Sequence, residues 1–255
     1  MSWSGTTWAK ATANKVAVLS PVVGIVQARM GSTRFPGKML ADLNGYPLMR
    51  WVLERTSRSR NLDAVVLATT ELPRDDILAD MAARMDIAVF RGDEEDVLGR
   101  FVGAANLMNA ATVVRICADR PLIAPEMIDL AIAAYKNETP DYAYNHIPGN
   151  GQRPPHGLGA EVLSAALLKK LDGLSTEAHQ REHVTYYIWD HPDDFSILAA
   201  DCPPACDAGD AGMRFDVDTE ADLDRLKRLG PGINFYTLAT DLVAAAARRG
   251  LTHHA

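Results

Sequence analysis

The chain predicts a single three-layer α/β domain with a mostly parallel sheet, and three observations carry that expectation. Short apolar runs alternate with stretches whose apolar residues recur at helical spacing. Such alternation produces a sheet covered by helices on both faces. With 255 residues, 47% hydrophobic and 23% charged, the chain is long enough to bury one substantial core.

Val22–Gln27 reads as a buried strand, residues 48–58 as a helix with Met49, Val52, Leu53 and Thr56 on one face, and residues 64–69 as a second strand, which completes a βαβ unit. Ile77, Leu78, Met81, Ala82 and Met85 mark the next helix, residues 87–90 a strand, and Val97, Leu98, Phe101, Val102 and Ala105 another helix before the strand Thr112–Cys117. After Asn137 the regularity drops. Pro148, Pro154 and Pro155, with Gly149, Gly151, Gly157 and Gly159, make residues 138–160 a long loop or excursion leading to a strand over 160–163. Residues 177–190 read as one helix that clusters Val184, Tyr187 and Ile188 and presents Arg181, Glu182 and His183. A short strand from Arg214 would project Asp216 and Asp218 together, and Asp218 or Thr219 would cap the helix carrying Leu223, Leu226 and Leu229. Residues 1–20 contain Trp3, Trp8, Lys10 and Lys15 but no continuous apolar segment, so they are expected to be an extension to a domain over 21–250.

Residues 28–38, Ala-Arg-Met-Gly-Ser-Thr-Arg-Phe-Pro-Gly-Lys, follow directly on the first strand. Glycines let the backbone bring its N–H groups close to phosphate oxygens, and Arg29, Arg34 and Lys38 supply the charge a nucleoside triphosphate demands, so the loop reads as a polyphosphate cradle suited to nucleotidyl transfer. It is not an ATPase P-loop. Five residues separate Gly31 from Gly37, and Met39 follows Lys38 where a hydroxyl would be needed to hold magnesium, so carboxylates from elsewhere must hold the metal. Asp119, two residues past its strand, and the pair Asp216 and Asp218 are the candidates. Carboxylates converging on one point repel unless a cation neutralises them, and Mg2+ prefers oxygen ligands completed by phosphate and water.

These motifs resemble a known family. The segments VGIVQARMGSTRFPGKML, FRGDEEDVLGRF, RICADRPLI and REHVTYYIW are similar to those of the cytidylyltransferases that make CMP-activated acidic sugars, the acylneuraminate and KDO cytidylyltransferases, and most of all to the SpsF-like spore-coat polysaccharide branch. The resemblance spans about residues 22 to 229 and keeps the motifs in family order. It implies the nucleotide-diphospho-sugar transferase fold, which is GT-A-like, and Mg2+-dependent transfer of CMP from CTP to an ulosonic-acid-like sugar with release of pyrophosphate. Arg29, Gly31, Ser32, Arg34 and Lys38 would hold the triphosphate, and backbone groups near Gln27 and Ala28, with Arg100, would hold the base. Asp119 and Asp218 match the family's metal aspartates, and Asp216 matches the acylneuraminate enzymes. Arg29, Lys38 and Asp119 carry the catalytic expectation. Arg181 and His183 would bind the acceptor, and Arg120, where the family usually has glutamate, marks a different acceptor. The resemblance also implies that about 138–190 covers the acceptor and contributes to a homodimer contact.

Twenty-six basic and 33 acidic residues give a net charge of −7, against a general nucleic-acid-binding surface. Three cysteines cannot all pair within the chain, and no run reaches the ~18 apolar residues of a membrane span, so a cytoplasmic protein without membrane contact is expected. Two other readings stay open at this level. One is nucleotidyl transfer to a sugar phosphate or phosphonate, which Arg120 and Arg153 would suit. The other is a glycosyltransferase using Asp216-Val-Asp218 as a DxD metal site.

Overall fold

The first strand, β1 (Val22–Gln27), packs Val22 and Val26 into one apolar cluster and Val23 and Ile25 into another. Successive side chains of a strand point to opposite faces, so this six-residue apolar run needs a helical layer on each side. A computed structural model of the chain describes residues 20–209 and 212–251. The extension expected over residues 1–20 lies, apart from Ser20, outside them.

After β1 come a 3-10 turn at Lys38–Leu40, a two-stranded ribbon of β2 (Asp42–Leu43) and β3 (Tyr46–Pro47), and helix α1 (Leu48–Thr56). Then follow β4 (Ala64–Thr70), α2 (Asp76–Arg84), β5 (Ala88–Gly92), α3 (Val97–Leu107), β6 (Thr112–Cys117) and α4 (Pro125–Glu138). The second half supplies β7 (Tyr142–Tyr144), β8 (Glu161–Ser164), α5 (Ala165–Leu174), α6 (Ala178–Glu182), α7 (Tyr186–Asp190), β9 (Ile197–Ala199), α8 (Glu220–Lys227) and α9 (Ala239–Arg248). The main sheet has the order β5-β4-β1-β6-β8-β7-β9, and within it β8 alone runs against the others. Helices α1, α2 and α4 cover one face; α3, α5 and α6 cover the other. A third cluster packs Leu223, Leu226 and Leu242 of the C-terminal helices against Trp51 and Phe215.

The fold class stands, and three local expectations do not. Residues 177–190 are two short helices, because Val184 adopts φ 56°, a backbone reversal that no helix accommodates. The stretch around Asp216 and Asp218 is not a strand: it makes one isolated bridge, Arg214 to His156, before Thr219 caps α8 through Asp222 N–H. The irregular stretch 138–160 contains β7, which pairs with β8 and β9 inside the main sheet.

Candidate active site

β1 and β6 lie side by side with Gln27 opposite Cys117, and the chain leaves β1 for β4 on one side while β6 lies on the other. This is the point where strand order reverses, and the loops leaving the two strands diverge to leave a crevice at their carboxyl ends. A cavity of about 740 Å³ opens there.

One half of the cavity is the glycine loop. A Cβ on Gly31 would stand 2.7 Å from Glu94 Oε1 and 2.9 Å from Arg74 Nη2, so a larger residue would have to displace that ion pair. Gly37, at φ 73°, starts the 3-10 turn that carries Lys38 into the site. Met30 N–H donates to Asp75 Oδ1 at 2.6 Å and anchors the loop. The cations rest on acidic and carbonyl partners. Lys38 Nζ lies 2.8 Å from Val217 O and 3.4 Å from Asp218 Oδ1; Arg34 Nη2 is 3.1 Å from the same carboxylate oxygen; Arg29 Nη1 is 3.3 Å from Glu94 O and 3.4 Å from Glu94 Oε1. Partly solvated pairs such as Arg34–Asp218 are individually weak, so a polyanion can displace them. Buried Arg100 donates to the carbonyls of Asp93 and Glu94, with Nε unpartnered.

The base-facing backbone expected near Gln27 and Ala28 is partly taken up by the sheet. The N–H of Ala28 donates to Ala68 O at 3.2 Å, and the carbonyl of Gln27 accepts from Ala118 N–H at 3.1 Å. Sheet extension therefore engages one backbone group of each residue, the Ala28 N–H and the Gln27 carbonyl. The free group is the side-chain oxygen of Gln27, buried in the cavity wall without a partner.

The other half holds Asp119 and Arg120. Val217 N–H donates to Asp119 O at 2.7 Å, which brings the loop after β6 to the segment carrying Asp218. Asp119 Oδ1 is buried without a partner, although Arg120 Nε stands 3.9 Å away. Both Asp119 and Asp218 line the cavity; Asp216 does not. Asp216 pairs instead with Arg214, Nε to Oδ1 at 3.1 Å, and although burial pushes its carboxyl up, Arg214 holds it below the usual range. A Cβ on Gly157 would stand 2.6 Å from Asp216 N, so the backbone is packed there. Two of the three candidate metal carboxylates thus face the cavity, and among the described residues no group of three His, Cys, Asp or Glu is placed to hold a metal. An orphaned carboxylate oxygen on Asp119 beside Asp218 still fits Mg2+, which takes one or two carboxylates and completes its shell with phosphate and water.

Beneath Arg120 lies a network that sequence reasoning missed. Buried Glu161 pairs through Oε1 with Arg115 and accepts through Oε2 from Tyr142 Oη at 2.9 Å and Thr185 Oγ1 at 2.6 Å. Burial opposes its charge, yet Arg115, His146 and Arg120 together hold its carboxyl down at about 2. His146 Nε2 stands 3.6 Å from Glu161 Oε1; its Nδ1 is buried and unpartnered, and burial lowers the imidazole to about 3, so it is neutral at pH 7. The signal was available: Arg115 interrupts an apolar strand and Glu161 opens another, and charges buried in strands require partners.

His183 lines the cavity with Thr185, Tyr186 and Trp189. Arg181 does not. Its guanidinium turns back to Asp96 and Asp172, so the two residues expected to bind the acceptor as a pair point in different directions.

A switch-point cavity with three loop cations at one end and paired carboxylates beside them defines a nucleotidyltransferase site. The Cytidylyltransferase family profile matches residues 23–245, and the chain belongs to that family. It is 33% identical over 216 residues to the spore coat polysaccharide biosynthesis protein SpsF of Bacillus subtilis, covering 83% of this chain and 87% of that one. It is 38% identical over 112 residues to the 3-deoxy-manno-octulosonate cytidylyltransferase of Geobacter sulfurreducens, covering 44% of each. Among solved structures, a cytidylyltransferase from Leptospira borgpetersenii superimposes with a TM-score of 0.82 at 27% identity, over 92% of this chain and 98% of that one. The CMP:2-keto-3-deoxy-manno-octonic acid synthetase solved with CTP shares the fold, with a TM-score of 0.60 at 18% identity over 82% and 98% of the chains. The chain is a CTP-dependent cytidylyltransferase that transfers CMP. No helix among the described residues is long and apolar enough to cross a membrane.

Proposed function

We propose that the enzyme transfers CMP from CTP to a sugar carrying a carboxylate, with Mg2+ held by Asp119 and Asp218. The observation that carries the acceptor class is the charge inventory of the second half of the cavity. Arg115 is committed to Glu161 and His146 is neutral, which leaves Arg120, with one donor on Gly159 O, as the guanidinium facing an incoming ligand. One cation suits a carboxylate; a phosphorylated acceptor calls for more charge.

Arg29, Arg34 and Lys38 exchange their resting partners for phosphate oxygens. Lys38 is well placed for this, since its amine already stands between Val217 O and Asp218. Mg2+, when bound, supplies Lewis-acid polarisation of the α-phosphate. The acceptor hydroxyl attacks the α-phosphorus and gives its proton to solvent water, the bond to the bridging oxygen breaks, and pyrophosphate leaves with its charge neutralised by the loop cations. Alignment and charge neutralisation carry the rate. His146, held neutral by burial with its pKa lowered to about 3, is too weak a base to take the hydroxyl proton at neutral pH. Gln27 is assigned to the cytosine edge, because its buried oxygen lacks a donor that the cytosine amino group can supply. The DxD glycosyltransferase reading loses its support with Asp216 turned onto Arg214.

The decisive experiment is pyrophosphate release from each of the four nucleoside triphosphates against a panel of acidic sugars and sugar phosphates. CTP with a carboxylate sugar should lead. Preference for a sugar phosphate would replace the acceptor assignment, and equal use of UTP would remove the base assignment.

A further inference from the structure

Helix α6 spans five residues, too few to hold its own shape in water. It is held by Arg181. Nε and Nη2 donate to the two oxygens of Asp96 at 2.9 and 2.7 Å, Nη2 also to Asp172 Oδ1 at 2.8 Å, and Nη1 to the carbonyls of Asp172 and Ser175 at 3.2 Å each. These five bonds match the five N–H groups of a guanidinium, so Arg181 has no donor left for a ligand.

Both ends of the clasp matter. Asp96 caps α3 by accepting from Gly99 N–H at 2.9 Å, and it closes the segment 93–96 whose carbonyls receive Arg100 and Arg29 on the nucleotide side. Two residues beyond Arg181, His183 faces the cavity, and two beyond that the Thr185 hydroxyl fastens to Glu161. His183 therefore sits on a short bridge pinned at Arg181 and Thr185, with the reversal at Val184 between the pins.

We propose that Arg181 is a positioning residue for the acceptor. Its clasp on Asp96 fixes the wall carrying His183 against the helix that lines the nucleotide half, and so sets the distance between acceptor and CTP. The inference rests on the cavity's second half being the acceptor site. The fork geometry matters as well as the charge, because a lysine can contact Asp96 but cannot reach all five partners.

The test uses the full chain with CTP and 3-deoxy-manno-octulosonate as probes. In Arg181→Gln the acceptor KM should rise by roughly ten- to a hundredfold, the scale of an ångström-level misplacement. The CTP dissociation constant by calorimetry should stay within about twofold, which marks loss of acceptor positioning alone. Arg181→Lys should recover part of the loss, and Arg181→Gln combined with Asp96→Asn should be no worse than Arg181→Gln, since both remove one interaction. An unchanged acceptor KM with only a lowered Tm, or an equal loss in CTP affinity, overturns the proposal. Hydrogen exchange separates this outcome from failure of the acceptor assignment. If the wild type turns over no acidic sugar, the functional reading falls, while the clasp still predicts faster exchange at residues 178–186 in Arg181→Gln with β1 and β6 unchanged; equal protection would overturn the clasp itself.

Discussion

Glu161→Gln replaces the most deeply paired carboxylate of the site by a neutral isostere. Glu161 is 1% exposed and Arg115 8%, so the pair is shielded from water. The carboxyl stands at about 2 in the folded chain against a reference of 4.5. At about 1.4 kcal/mol per unit, that difference is worth about 3 kcal/mol of stability at neutral pH. Breaking a buried pair from one side costs about 3–5 kcal/mol by an independent measure, because Arg115 is left charged without its partner. The two agree. Glu161 has a depressed carboxyl, so its contribution is full above about 4.5 and is lost as pH falls through about 2. With a urea slope of about 3 kcal/mol/M for a domain of this size, the unfolding midpoint of the variant should fall by about 1 M at pH 7. The gap between the two proteins should narrow as pH drops below about 4.5. A midpoint shift under about 0.3 M, or a gap independent of pH down to 3, would refute the assignment of Glu161 as the ionised centre of this network.

His146 acts in the same direction over a higher window: its imidazole sits at about 3 against 6.5 unfolded, so the unfolded chain binds an extra proton between those values and stability is lost as pH falls from about 6.5 toward 3. His146→Gln should flatten the slope of urea midpoint against pH between 6.5 and 4, and identical slopes would contradict a neutral buried imidazole. Asp119→Asn and Asp218→Asn should each cost more than about 100-fold in turnover with the fold retained by circular dichroism, whereas Asp216→Asn should be mild; near-normal turnover of the first two at saturating Mg2+ would sink the metal assignment. Lys38→Ala and Arg34→Ala should weaken CTP far more than CMP in calorimetry, because CMP lacks the β- and γ-phosphates, and equal losses would place these side chains elsewhere.

Local pattern was enough for most of the architecture. The apolar run of β1, the helical spacing in α3 and the glycines of residues 28–38 are properties of neighbours in sequence, and neighbours decide whether a segment is a strand, a helix or a tight loop. The same holds for Arg29 and Asp119, whose positions two residues past strand ends place them at the carboxyl edge of any parallel sheet. Pairing across the fold is another matter. Whether Asp216 faces a metal or Arg214 depends on the irregular backbone near Gly157, and whether Arg181 meets a substrate or Asp96 depends on α6 lying beside α3. Gln27 and Ala28 show the same limit, since the Ala28 N–H is taken up by β4 and the Gln27 carbonyl by the loop after β6. The network of Arg115, His146, Glu161 and Thr185 joins residues far apart in the chain, and only the close packing of β6, β8 and the bridge between α6 and α7 puts their charges within reach of one another. Sequence by itself determined that the site holds the cations of the glycine loop and Asp119, and which strand ends present them. The tertiary structure decided which of those groups remain free to meet a ligand, because a buried side chain turns to the partner that satisfies its charge, and that partner is set by packing.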